Sequence, residues 1–279
     1  MNNWRENKNY YHFHDDLKAY PEAWCYVVWS RRGPGKTYSA LRYSYEEKIP
    51  ILYMKRTIDD VNTVCGVRGG IDLSPYVPIN RDGHYNITSQ LIHKGIGGFY
   101  DIYDDEGKIS GMPFSYVCAL NAMKLIKGFD LSICDWMLLD EFIPQAGEVV
   151  KRKEGEMLLD VYMTVARDRM KRGRDDLKLV LFANAENIST PITNELDIID
   201  DMINLQASGK THFYIEDRGI LLHHITEEEI PIHEKEKGGI YKAMAGTAWG
   251  AKAFGGDFSN NDFSNVGRMS MKNFQPVVA

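Results

Sequence analysis

The sequence lacks several features that would assign it to a class at once. None of its apolar stretches approaches the ~20 residues that a membrane-spanning helix needs, so no membrane contact is expected. The first sixteen residues are polar and aromatic, unlike a secretory signal. A surplus of positive charge is also absent, because the 279 residues carry a formal net charge of −6. That balance argues weakly against a simple monomeric DNA-binding protein; local basic patches, assembled across subunits, would have to contact nucleic acid.

Cysteine pairs with the spacing of a metal site are missing as well. The four cysteines are Cys25, Cys65, Cys118 and Cys134. They include no CxxC pair, and three of the four lie in apolar, strand-like runs. We therefore expect buried, reduced thiols in an intracellular protein, and no cysteine metal site. The composition, with 44% hydrophobic and 26% charged residues, predicts one large folded domain or a main domain with a smaller appendage.

What the sequence does contain is a glycine-bearing turn that ends in Gly-Lys-Thr. An apolar run precedes this turn and a helix-like segment follows it, which is the context of a phosphate-binding loop. In such a loop, Lys36 would reach the β- and γ-phosphate oxygens and Thr37 would coordinate Mg²⁺. The strict phosphate-binding pattern has glycine at the position of Ser30, so the sequence departs from it there. The alternative interpretation is that Gly-Lys-Thr occurs by chance on a surface turn. The predicted nucleotide-binding residues are Ser30, Arg31, Arg32, Gly33, Pro34, Gly35, Lys36 and Thr37.

Strands alternate with helices along most of the chain. Further apolar runs predict buried strands at residues 50–54, 114–120, 136–139 and 177–183. Residues 154–170 have helical spacing, and 198–205 predict a connecting helix. This alternation predicts an α/β fold with a mostly parallel central sheet.

Two segments depart from the alternation. Residues 59–113 are rich in Gly, Asp and Asn, and we expect a β-rich insertion there, with short strands at 84–87, 98–103 and 108–110 and a turn at 104–107. Near the other end, residues 211–216 and 220–225 predict a hairpin, and the chain from Gly246 onward is expected to be loop-like.

Two acids end one of the predicted buried strands. Asp140 and Glu141 follow residues 136–139, and carboxyl ends of parallel strands lie at the edge where ligands bind. Asp140 would hold the Mg²⁺ shell, and Glu141 would polarise the water that attacks a γ-phosphate. Such a pair alone is often a solvated strand end. Together with the loop it predicts ATP hydrolysis, with ATP and Mg²⁺ as ligands, rather than a kinase that needs no base for water.

Basic residues cluster after the predicted long helix. Arg167 and Arg169, ahead of Arg174, are candidates for a residue that stabilises γ-phosphate charge on a neighbouring subunit. A solvated basic helix end is the alternative. Lys55 and Arg56, at the end of the second strand, are further candidates for this trans-acting role, with the same alternative.

Polar residues follow two other strands. Asn184 could sense the γ-phosphate or hold the attacking water, although a turn-capping or helix-capping asparagine is the alternative. Lys124 and Lys127 follow a core strand and could face a pore, where contacts to a DNA backbone would be independent of sequence; ordinary exposed lysines are the alternative.

The C-terminal part carries scattered acids that form no convincing set for a two-metal nuclease. His223 and His224 are adjacent on a predicted strand, so they face opposite sides and cannot share a metal ion.

The sequence resembles the DNA packaging ATPases of small short-tailed phages, which are distant relatives of terminase large subunits. The likeness rests on Arg32 four positions before Lys36, and on Leu-Tyr-Met-Lys-Arg at 52–56, Leu-Leu-Asp-Glu-Phe at 138–142 and Phe-Ala-Asn-Ala at 182–185. It covers the chain from Val27 to about residue 187.

This resemblance implies a homopentameric ring motor that threads double-stranded DNA through a portal into an empty procapsid in the host cytoplasm. A structural RNA is a further candidate partner. The resemblance also implies an additional-strand, RecA-like ATPase domain in residues 1–197. A linker and a small α+β domain related to an RNase H-like nuclease, often inactive, would occupy residues 198–279.

The same resemblance assigns roles to individual residues. Lys36 and Thr37 would bind phosphate and metal, Asp140 and Glu141 would be the Mg²⁺ and catalytic pair, and Asn184 would couple hydrolysis to motion. The arginine that acts in trans would lie within residues 162–169. Three alternatives stay open: a helicase or other ring ATPase, a small-molecule kinase with residues 59–113 as its lid, and a module that binds nucleotide only for structure.

Overall fold

The computed structural model describes residues 4–68, 71–102, 109, 111–122, 129–145, 147–234, 237–256 and 258. Lys124, Lys127 and the turn expected at 104–107 lie outside these residues. Within them, no helix has both the length and the apolar character that crossing a bilayer requires. All four cysteines are buried and free, as expected.

The described residues form a nine-stranded sheet and a separate two-stranded hairpin. The strands are β1 (Cys25–Ser30), β2 (Ile51–Lys55), β3 (Val67–Arg68), β4 (Ile71–Asp72), β5 (Ile87–His93), β6 (Ile96–Asp101), β7 (Ser115–Ala119), β8 (Trp136–Asp140), β9 (Lys178–Asn184), β10 (His212–Ile215) and β11 (Ile220–Ile225). In the large sheet the order is β10-β11-β1-β9-β8-β2-β7-β6-β5. The six strands from β11 to β7 are parallel. β10 pairs antiparallel at one edge, and at the other end β6 pairs antiparallel with β7 and with the edge strand β5.

Helices cover both faces of the sheet, which explains why its central strands are apolar throughout. The helices are α1 (Phe13–Ala19), α2 (Lys36–Glu46), α3 (Ile58–Val64), α4 (Val77–Gly83), α5 (Glu154–Ala166), α6 (Pro191–Glu195), α7 (Ile199–Ala207), α8 (Gly239–Met244) and α9 (Ala248–Gly250). One core holds α5, α6 and α7 against alternate residues of β1, among them Val27. The other core holds α1 to α4 against the intervening residues, among them Val28.

The strand order brings three strand ends together. β9 lies between β1 and β8, so that Ser30 is in register with Asn184, and Asp140 with Phe182. The turn after β1, the acids after β8 and the asparagine at the end of β9 therefore meet at one edge of the sheet. This confirms the mostly parallel α/β sheet expected from the sequence.

The insertion between residues 59 and 113 adds β5 and β6 to the edge of the sheet, so the β-rich expectation is confirmed. The strand expected at residues 84–87 was wrong except for its last residue. His84 has a left-handed φ of 55° and ends α4, so β5 begins only at Ile87. Likewise the helix expected to reach residue 170 ends at Ala166.

The hairpin near residue 218 is confirmed, but its place in the fold was not foreseen. β11 pairs in parallel with β1, so residues 212–225 complete the same sheet. The domain boundary expected between residues 197 and 198 therefore does not coincide with an end of this sheet, which continues to Ile225. The described residues after Ile225 form only the helical turns α8, α9 and Ala251–Gly255, so the expected α+β domain gains no strand there. For residues 248–255 these turns also correct the loop expected from Gly246 onward, and residues 259–279 of that segment lie outside the described residues.

Candidate functional site

The turn between β1 and α2 owes its shape to two glycines. Gly33 and Gly35 have φ of 101° and 92°, a region that residues with a Cβ rarely adopt. A Cβ on Gly35 would also lie 3.4 Å from the ring of Tyr10. Gly35 caps α2, which begins at Lys36, so the free N–H groups of its first turn lie beside the glycines.

Lys36 places a buried ammonium group in this turn. Its Nζ donates to Ser30 Oγ at 2.5 Å, and to Arg31 O and Asn184 Oδ1, each at 3.4 Å. Burial among these uncharged acceptors lowers the pKa of Lys36 to about 8, although Asp140 and Glu141 act in the opposite direction. Ser30, where the strict pattern has glycine, thus supplies an acceptor for the lysine. These three hydrogen-bond acceptors of Lys36 are all neutral, and Asp140 and Glu141 act on it only through longer-range charge interactions. An anion bound in the cleft would place a negative charge directly beside its ammonium group.

Asp140 is the meeting point of three elements. Its Oδ1 accepts a hydrogen bond from Thr37 Oγ1 at 2.9 Å, which ties α2 to β8. Its Oδ2 accepts from Tyr53 Oη at 2.9 Å and lies 3.4 Å from Lys55 Nζ, both at the end of β2. Burial, and next the charge of Asp140, raise the pKa of Tyr53 well above its ordinary value, so the phenol stays a donor.

Glu141 has a distinct setting beside Asp140. Its φ of 58° is unusual for a residue with a side chain and turns the chain sharply at the strand end. Glu141 Oε1 accepts from Gln145 Nε2 at 3.0 Å, and Gln145 Oε1 in turn accepts from Arg32 at 2.9 Å. The side chain of Glu141 is 40% exposed, so water can reach it.

The structure thus brings seven of the predicted residues into one cleft. The cleft has a volume of about 250 Å³. The predicted residues that line it are Gly33, Gly35, Lys36, Thr37, Asp140, Glu141 and Asn184. Tyr53 and Gln145 were missed by sequence reasoning. Tyr53 could have been noticed from its place beside Lys55 at the end of β2, whereas nothing local marks Gln145.

This donor set fits Mg²⁺. A hydroxyl and a carboxylate oxygen 2.9 Å apart are hard oxygen ligands of the kind that Mg²⁺ takes, with its remaining positions left to water and phosphate. The buried ammonium of Lys36, held by neutral acceptors, fits a phosphate chain beside it.

A larger cavity of about 860 Å³ shares the glycine turn with the cleft. Residues before α1 form much of its wall, because Tyr11 N donates to Pro34 O at 2.9 Å and fixes this segment against the turn. Aromatic and polar side chains line the cavity, among them Trp4, Tyr10, Tyr38 and Arg42.

Three basic residues expected to act on a neighbouring subunit are engaged within their own chain. Lys55 contacts Asp140 and lies 3.9 Å from Glu141. Arg56 bonds to two glutamates and to the backbone after β8, and Arg174 donates to Ile133 O and Asp135. Within the single chain these side chains therefore have partners already, and their trans-acting role stays a prediction.

Arg169, predicted as a candidate catalytic residue, is buried within its own chain and does not line the cleft. It is 1% exposed, and its guanidinium donates to the carbonyl oxygens of Ser132, Cys134 and Asp175 and to Asp135. It therefore fastens the segment before β8 to the segment after α5. Arg167, by contrast, is exposed at the end of α5 and lies away from the cleft within its own chain.

Replacing Arg169 by Ala is expected to lower the free energy of unfolding by about 2–4 kcal/mol, because three carbonyl groups lose their donor and Asp135 keeps only Arg174. Urea denaturation followed by circular dichroism measures this change. The control, Arg172→Ala, removes a side chain that is 56% exposed and should cost less than about 1 kcal/mol. Equal effects of the two substitutions would contradict the structural role of Arg169.

Comparison with known sequences gives no relative: no protein-family model matches the chain, and no curated protein matches it significantly. Solved structures do match. The N-terminal domain of the DNA packaging ATPase from bacteriophage phi29 superposes with a TM-score of 0.55 at 16% identity, over 77% of this chain and 96% of that one.

Two larger assemblies match as well. The Phi-28 gp11 DNA packaging motor has a TM-score of 0.53 at 16% identity, over 78% of this chain and 60% of that one. The bacteriophage Phi-29 viral genome packaging motor assembly has a TM-score of 0.55 at 15% identity, over 95% of this chain and 66% of that one. At these identities the likeness shows a shared fold, that of a phage packaging ATPase domain.

Proposed function

We propose that this chain is an ATP-hydrolysing subunit of a phage genome packaging motor that moves double-stranded DNA through the portal into the procapsid. The contact between Thr37 Oγ1 and Asp140 Oδ1, at 2.9 Å, carries the proposal. It sets the glycine turn beside the acidic end of β8, and an ATP-hydrolysing site needs both. The fold shared with packaging ATPase domains supports the biological setting.

ATP would bind with its phosphates along the turn between β1 and α2. Backbone N–H groups at the start of α2 would donate to phosphate oxygens. Lys36 would exchange Ser30 and Asn184 for the β- and γ-phosphate oxygens, gaining the countercharge that its own chain does not provide. The nucleoside would extend past Tyr38 into the larger cavity, where the ring of Tyr10 offers a surface for stacking.

Thr37 and Asp140 would hold Mg²⁺. When bound, Mg²⁺ neutralises charge on the β- and γ-phosphate oxygens. Tyr53 and Lys55 fix Asp140 through its Oδ2, so that Oδ1 keeps its direction toward Thr37. Lys55 thus acts within its own chain, as a residue that positions the carboxylate.

Glu141 would take the proton of the attacking water. Gln145 donates to one of its carboxylate oxygens and thereby orients the other toward the cleft, while Arg32 holds Gln145. Asn184 contacts Lys36 at the γ-phosphate end of the turn, so departure of that phosphate would change its hydrogen bonding. A shift there would pass along β9 into the centre of the sheet.

A homopentameric ring would complete the site. Of the arginines weighed from the sequence, Arg167 is the one left exposed for a neighbour's γ-phosphate. Lys124 and Lys127 stay proposals for the DNA contact. Because one chain has a net charge of −6, grip on DNA would depend on a few lysines repeated around the ring.

The proposal is tested by comparing nucleic acids as activators and as tracks. We expect double-stranded DNA to stimulate ATP hydrolysis several-fold more than single-stranded DNA or RNA of equal length. We also expect ATP-dependent displacement of a third strand from a DNA triplex, with the underlying duplex left intact. Phosphate release and gel separation of the displaced strand are the measurements.

Other outcomes of the same experiment would contradict the proposal. Separation of a forked duplex would favour the helicase alternative. Transfer of phosphate to a small-molecule acceptor, with no activation by DNA, would favour a kinase. Within the insertion expected as the lid of such a kinase, β5 and β6 extend the far edge of the sheet, while Pro78, Arg81 and Asp82 line the larger cavity.

A further inference from the structure

A second polar cluster lies on β10 and β11. In the sheet, β1 and β9 separate these two strands from β8 and the acids at its end. The cluster joins Asp16 of α1, His212 of β10 and His223 of β11, whose nearest ligand atoms all lie within 4.8 Å of one another. Asp16 Oδ2 is 2.8 Å from His223 Nδ1, and Asp16 Oδ1 is 3.2 Å from His212 Nε2. Ligand atoms around a tetrahedral metal ion with bonds near 2.0–2.1 Å are about 3.3 Å apart. The 3.2 Å pair already has this spacing, and the 2.8 Å pair would widen by about 0.5 Å on binding an ion.

Each of the three side chains has a partner behind it. His223 Nε2 lies 3.1 Å from both carboxylate oxygens of Glu229, and His212 Nδ1 lies 2.8 Å from Thr211 Oγ1. Tyr11 Oη donates to Asp16 Oδ2 at 2.7 Å. Histidines that bind metals usually donate their second ring N–H to a carboxylate or another acceptor, which fixes the ring and its tautomer. Both imidazoles here have that arrangement.

The charge of the cluster also points to a cation. Asp16 and His223 are buried, with 3% and 1% of their surface exposed, and Glu229 adds a second carboxylate. A divalent cation between the imidazoles would balance the two carboxylates.

We propose that Asp16, His212 and His223 bind one divalent transition-metal ion, and that Zn²⁺ is the ion this donor set suits best. Two imidazole nitrogens and one carboxylate oxygen, with no sulfur, are a common zinc ligand set. The side chain of His212 is 28% exposed, so an ion can reach the cluster from solvent beside His212. Water can occupy the fourth coordination position from the same direction.

The ion would fasten the N-terminal segment to the edge of the sheet. Asp16 belongs to α1, and the residues just before α1 pack on the glycine turn through Tyr11 and Tyr10. His224, the neighbour of His223, is not part of the cluster; it stacks on Trp29 with ring centroids 5.2 Å apart. The site therefore forms across strands, from residues that no local spacing would connect.

The test uses the full-length protein, stripped with a chelator and dialysed, and Zn²⁺ alone as the probe. We expect one zinc ion per chain by elemental analysis and a higher melting temperature with Zn²⁺ than without it. Co²⁺ in its place should give the visible absorption of a tetrahedral nitrogen and oxygen site. Neither readout depends on ATP hydrolysis, so a failure here is distinct from a failure of the proposed function.

His212→Ala should weaken zinc binding by about 100-fold or more and abolish the cobalt absorption, because one of three protein ligands is lost. Glu229→Gln should weaken binding by about 10-fold, as expected for a partner behind a ligand. The matched control is His93→Ala, an exposed histidine of β5, which should bind zinc as the wild type does. His212 is half-buried at an edge strand, so its variant should fold, and circular dichroism checks this.

Two results would overturn the proposal. One is a wild-type protein that takes up no stoichiometric zinc and melts at the same temperature with and without it. The other is a His212→Ala variant that is folded and binds zinc as tightly as His93→Ala does. Either result would leave the cluster as a set of hydrogen bonds between His223 and its two carboxylate partners.

Discussion

Lys36→Ala should reduce ATP hydrolysis by at least about 100- to 1,000-fold, the usual effect of removing one group that stabilises developing charge. ATP binding should weaken as well, because the phosphates lose the cation that lies among Ser30, Arg31 and Asn184. Steady-state phosphate release and equilibrium binding of a fluorescent ATP analogue measure the two effects. Translocation on double-stranded DNA should stop with hydrolysis.

The loss should not come from unfolding. Burial lowers the pKa of Lys36, so its charge is held in the fold at a cost, and alanine should leave the melting temperature unchanged or higher. Lys171→Ala is the matched control, because that side chain is 83% exposed and contacts only a neighbouring residue on the surface. A folded Lys36→Ala protein with ordinary turnover would end the assignment of the turn to phosphate binding.

Glu141→Gln should bind ATP normally and hydrolyse it about 10²- to 10⁴-fold more slowly, the range typical of a lost general base. The substitution keeps the size of the side chain, and the new amide oxygen can still accept from Gln145. Only the capacity to take a proton from water disappears. Equilibrium binding of ATP and single-turnover phosphate release separate the two properties.

Glu156→Gln is the control for this charge change, because Glu156 is 53% exposed and pairs only with Lys153. It should hydrolyse ATP at the wild-type rate. If Glu141→Gln turned over ATP as fast as Glu156→Gln, the water would be activated elsewhere. If it failed to bind ATP, Glu141 would serve binding instead of proton transfer.

The arginines show a difference in burial that sequence reasoning could not resolve. Arg167 and Arg169 stand two positions apart, and nothing in their spacing distinguishes them. In the structure one is exposed and the other is almost wholly buried against three carbonyl groups. The difference depends on the segment at residues 132–135, which lies distant in sequence and meets Arg169 only after folding.

Long-range contacts also explain what was missed around the acids. Tyr53 reaches Asp140 because β2 and β8 are neighbours in the sheet, although 87 positions separate the two residues. The place of β11 beside β1 has the same origin. A hairpin is local and could be predicted, whereas the strand that it joins is decided by which surfaces remain to be buried.

The sequence by itself determined the local units: apolar runs that can only be buried strands, and a turn whose two glycines permit backbone angles closed to other residues. These depend on neighbours along the chain, so they can be read without a fold. Only the tertiary structure decided which strand ends meet and which basic side chains, such as Arg169, are hydrogen-bonded within their own chain. It also decided that Asp16 lies against His212 and His223. Such pairings join residues tens to hundreds of positions apart, and they arise when the sheet and its covering helices pack together.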